Sequence, residues 1–101
     1  MRAPFTGHTI LKQKDKDTLI ITAALNRLNK FRLPRALSLK KKVDSGEVLN
    51  EVDLNFLRRA LDDAREMNPI LERNPEYLGL RDKALGLCDQ ILQKNAENQG
   101  G

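Results

Sequence analysis

The chain has no tryptophan, one histidine, one cysteine and only four aromatic residues, Phe5, Phe31, Phe56 and Tyr77. Each scarcity closes a route. A lone Cys88 allows no intramolecular disulfide. Small secreted domains generally rely on several, so a reducing, intracellular address is expected. His8 is the single imidazole, leaving none elsewhere to activate Cys88 as a nucleophile. The same two residues are too few for a zinc set. None of the six glycines falls in a phosphate-cradling GxGxxG or GxxxxGK spacing. The longest apolar stretch, residues 19–25, is far short of the roughly 20 residues a membrane span needs. No secretory apolar region is visible in the first eighteen residues. The expectation is a cytoplasmic protein, without a membrane span, that is not an enzyme and uses no catalytic residue, metal or cofactor.

What is present is leucine and charge. The 101 residues make one domain's worth of chain, and 40% hydrophobic residues can supply a core. Charged residues make up 32%, above the usual value of about 25%, and their distribution is lopsided. Residues 1–42 carry eleven Lys/Arg against two acids, a net +9, and residues 43–101 carry seven against twelve, a net −5. A basic half can serve an anionic partner, or it can pair with the acidic half of its own or a neighbouring chain.

Apolar spacing gives an all-α reading with about four helices, at roughly 18–30, 34–44, 52–67 and 75–95, and an antiparallel C-terminal hairpin as the core. Residues 1–16, broken by Pro4 and Gly7, read as a flexible arm. Residues 17–97 read as one helical domain and 98–101 as a disordered tail. Asp17 stands where an N-cap would, Pro34 suits the first position of a helix, and Gly46 suits a left-handed C-terminal cap. Either Asn50 or Asp53 can cap the third helix. Asn74-Pro75-Glu76 combines a cap, a proline and a first-turn acid at the start of the fourth.

Two segments are candidate sites. Arg27, Lys30, Arg32, Arg35, Lys40, Lys41 and Lys42 fall within sixteen residues with no acid among them. That density suits contact with phosphates without strong sequence preference. A helix–turn–helix reading of 18–44 is weakened by a turn without glycine and a second helix poor in Asn and Gln. Phe31, inside this run, either stacks on a base or fills a corner between two helices. The second segment is the 3-4 spaced seam of Leu78, Arg81, Leu85, Cys88 and Leu92, suited to a helical partner or to a second copy. Cys88 on that apolar face reads as a buried structural thiol. Asp62, Asp63 and Glu66 could share a hard cation, but with Arg58, Arg59 and Arg65 within a turn they read as a solvated, ion-paired face. The leading expectation is a small interaction protein that acts through protein–protein contacts and self-associates. A nucleic-acid binder using residues 27–42 is the alternative.

Overall fold

A helix over residues 13–44 meets one covalent obstacle. Pro34 cannot donate a backbone hydrogen bond, and its ring crowds the carbonyl four residues back. The chain does not turn there. In the computed structural model, which describes residues 12–100, α1 (Gln13–Arg27) passes through a π-helical turn (Leu28–Arg32) straight into α2 (Leu33–Asp44). The Leu33 N–H donates to the Leu28 carbonyl, five residues back. This wider turn is how the helix continues past the proline. The two helices expected over 18–44 are thus joined without an intervening loop, as a rod of about 48 Å at 1.5 Å per residue.

The start of the rod also differs from the expectation. Helix α1 begins at Gln13, so Asp17 is not its N-cap but lies one turn inside, at 1% exposure. The expected arm is therefore helical over its last four residues, and residues 1–11 lie outside the described part. The end of α2 follows the sequence. Gly46 adopts a φ of 97°, its N–H donates to Val43 and the Glu47 N–H donates to Lys42. Those are the two bonds of a Schellman closure.

Helix α3 (Glu51–Glu66) is capped by Asn50 rather than by Asp53. The Asn50 side chain accepts from the Asp53 N–H at 2.9 Å, and the Asp53 carboxylate accepts from the Asn50 N–H at 3.3 Å. A short α4 (Asn68–Arg73) and a 3-10 turn (Pro75–Tyr77) lead into α5 (Leu78–Gly100). Among the described residues there is no strand.

The core gathers Ala36, Leu39 and Val43 of α2, Leu49 of the loop, Leu57 of α3, and Cys88 and Ile91 of α5. Helices α3 and α5 run antiparallel, because Leu49 meets Asn95 at one end and Asn68 meets Arg81 at the other. Helix α2 packs alongside both, so the hairpin's core is completed by a third helix.

Helix α5 continues through residues 98–100, which read as a tail in the sequence. Asn98 Nδ2 donates to the carbonyls of Val43 and Glu47, both at 2.8 Å. Asn95, at 5% exposure, accepts the Leu49 N–H at 2.8 Å. The last carbonyls of a helix and the N–H groups of a loop have no partners of their own, and α5 supplies them.

Two substitutions test this core by urea denaturation. Leu57→Ala is expected to cost about 2–5 kcal/mol, because the side chain is fully enclosed. Asn95→Ala, which strands the Leu49 N–H, is expected to cost about 1–3 kcal/mol.

Candidate functional site

The seven cations of residues 27–42 lie on one rod, and the structure divides them. Four meet carboxylates of their own chain. Arg32 pairs with Asp63. Arg35 lies 3.7 Å from Asp53 and over the Phe56 ring at 4.8 Å. Lys40 pairs with Asp44 at 2.7 Å and Lys42 with Asp53 at 2.9 Å. Arg27, Lys30 and Lys41 make no ion pair among the described residues. Phe31 is corrected from a corner-filling residue: no corner exists, and its ring is 67% exposed on the π-helical turn.

Asp53 is where cap, charge and core meet. Burial pushes its carboxyl up, but hydrogen bonds from Lys42 and the Asn50 N–H, with the charges of Lys42 and Arg35, outweigh that and leave it below the ordinary value.

The residues of the α5 seam are partly spent inside the fold. Leu78, Leu85 and Leu92 are half-buried, and Leu92 packs against the core cluster. Arg81 donates to Asn68 Oδ1 at 2.9 Å and pairs with Asp82. Cys88 is buried, and that burial raises its thiol pKa, with the Arg32 charge pulling the other way.

Two features were not found by sequence reasoning. The first is a polar clasp between α1 and the corner after α4. Asp17 accepts two bonds from the Arg73 guanidinium, one from Asn74 Nδ2 and one from Gln13 Nε2, all at 2.9 Å. The Arg73 hydrogen bonds are the largest influence on the Asp17 carboxyl. Together with Gln13 and Asn74 they hold it well below the usual carboxylate range, against the upward push of burial. Asn74, which reads as a helix cap in sequence, directs its amide to Asp17 and to the Ile70 carbonyl instead.

The second is a groove of about 560 Å³ beneath α1 and the π-helical turn. Its walls are apolar: Ile20, Ala24 and Leu28 above, Ala60 and Ala64 of α3 and Ala84 and Leu87 of α5 below. Arg27, Arg32, Asp63, Glu66, Arg81 and Lys83 also line it. The clasp lies towards one end and the α2–α5 contact towards the other.

Among the described residues, no group of three or more His, Cys, Asp or Glu is placed to hold a metal ion. None of the described helices is long and apolar enough to cross a membrane. Comparisons with family models, with curated proteins and with solved structures return no match to this chain.

The clasp has a pH signature. A carboxyl with a depressed folded-state pKa contributes stability that is fully present above its unfolded value of about 3.9. That contribution is lost as pH falls through the lower folded-state value. Asp17→Asn is expected to be less stable than the parent at neutral pH, with a shallower loss below about pH 4. Denaturant melts at a series of pH values read both effects; parallel curves would show that Asp17 does not carry the acid limb.

Proposed function

We propose that this chain is a non-enzymatic interaction protein that acts through protein–protein contacts and self-associates, in a cytoplasmic setting. The observation that carries the reading is large apolar surface left outside the core. Leu19 is 62% exposed, Phe31 67%, Leu37 50% and Val52 64%. Single exposed apolar residues are ordinary, but several large ones on so small a chain suit contact with another protein surface. The rod carries three of them, and α2 anchors it against the core. The internal pairing of Arg32, Arg35, Lys40 and Lys42 further supports a role for the basic half in the fold.

A second reading is favoured by the three cations that lack an internal partner. Arg27, Lys30 and Lys41, with the exposed Phe31, remain available for phosphate contact and base stacking in a weakly sequence-specific nucleic-acid binder.

Sedimentation equilibrium of the full chain across a concentration series tests the first reading. A species heavier than one chain is expected. Phe31→Asp combined with Leu37→Asp is expected to shift it to monomer with helical content retained. A monomer at every concentration would remove self-association. The second reading is tested by anisotropy of labelled duplex DNA and single-stranded RNA at low and near-physiological salt. Binding that falls steeply with salt and is lost on changing Arg27, Lys30 and Lys41 to Glu would support it; no binding at low salt would end it.

A further inference from the structure

The groove beneath α1 is a hollow that the exposed outer surface does not explain. Its volume of about 560 Å³ falls within the roughly 300–1,000 Å³ range of small-molecule clefts. It exists because alanines stand where larger side chains would close it: Ala24 on α1, Ala60 and Ala64 on α3, and Ala84 on α5. The groove is open to solvent, and an apolar guest would remove its alkyl walls from water.

Two ties between α1–π-turn and the rest of the chain limit the shape of that guest. The Asp17–Arg73–Asn74 clasp holds α1 to the corner after α4. The Arg32–Asp63 ion pair joins the π-helical turn to α3, and both of its residues line the hollow. An α-helix, about 10–12 Å across with its side chains, is a bulky guest for a groove fastened in this way, and a slender, flexible chain suits it better.

Charge selects the rest of the guest. The lining carries four cations, Arg27, Arg32, Arg81 and Lys83, against two acids, Asp63 and Glu66. Arg27 and Lys83 make no ion pair among the described residues. An apolar cleft with an uncompensated guanidinium on its lining suits an anion with a long alkyl tail.

We propose that the groove binds a long-chain aliphatic carboxylate, with its alkyl chain along the alanine floor beneath α1 and its carboxylate on Arg27. This does not depend on self-association, which uses the outer surface.

Calorimetric titration of the full chain with palmitate, kept below its micellar concentration, is the test. Saturable binding of one palmitate per chain is expected, with a slower reaction of Cys88 towards a thiol reagent, since Cys88 also lines the groove. Arg27→Glu removes an exposed side chain and should leave the fold intact. It is expected to weaken palmitate by about tenfold to a hundredfold, the worth of a charged hydrogen bond, and to leave the uncharged hexadecanol unaffected. Ala60→Leu, checked for native helicity, is expected to weaken both ligands. No saturable uptake of palmitate overturns the proposal. So does uptake that neither substitution changes, which would be detergent-like adsorption. Because sedimentation reports self-association separately, a failure of either reading leaves the other testable.

Discussion

Everything distinctive in this molecule follows from how one helix gets past one proline. Had the chain turned at Pro34, the segment before it would have been free to fold back onto α2. The π-helical turn instead carries α1 into α2 without a loop, and α1, which contributes no residue to the core cluster, finds its contacts elsewhere. It finds them at Asp17, which meets Arg73 and Asn74, and at Ile21 and Leu71 nearby, both buried. Between that contact and the core, the rod spans an interval in which few side chains reach across. The groove is the geometric remainder of a helix tied down at separated places.

The charge asymmetry of the sequence has a structural counterpart. The basic rod lies against α3, which carries five acids to three cations, and Asp53 and Asp63 of α3 draw in Arg32, Arg35 and Lys42. Arg35 also covers the face of Phe56, so one side chain serves both charge and packing. Asp53 is buried, so its pairs with Lys42 and Arg35 are screened less than fully exposed ones, which typically contribute about 0.2–1 kcal/mol. Together the pairs of Arg32, Arg35 and Lys42 fasten the rod to α3 at two acids, Asp53 and Asp63.

Local signals were legible where the partner is local. Gly46 takes the left-handed conformation expected of it, Asn50 caps α3 from three residues away, and the apolar stripe of α3 brings Leu57 inside. Signals failed where the partner is distant. Asp17 ahead of an apolar run is indistinguishable in sequence from an N-cap, and its guanidinium lies 56 residues further on. Asn74 misled in the same way. Pro34 is equally a helix start and a helix interruption, and only the turn's tertiary surroundings decide between them. The groove left no trace, because alanines at helical spacing look the same whether they touch a neighbour or face a void. The basic run was visible as a whole, and Lys40–Asp44 stands at i,i+4 spacing, but the neutralisation of Arg32, Arg35 and Lys42 depends on acids of α3 that local spacing does not reveal.

The amides of Asn95 and Asn98 close the loop between α2 and α3 from 46 to 55 residues away. Ribosomal synthesis delivers that loop early and its closing side chains late. A nascent chain that has emerged only to the end of α3 holds a helical pair whose joining loop lacks its final hydrogen bonds and whose apolar faces lack Cys88 and Ile91. Native closure therefore waits for α5, and until α5 has emerged the unfinished faces are open to other chains.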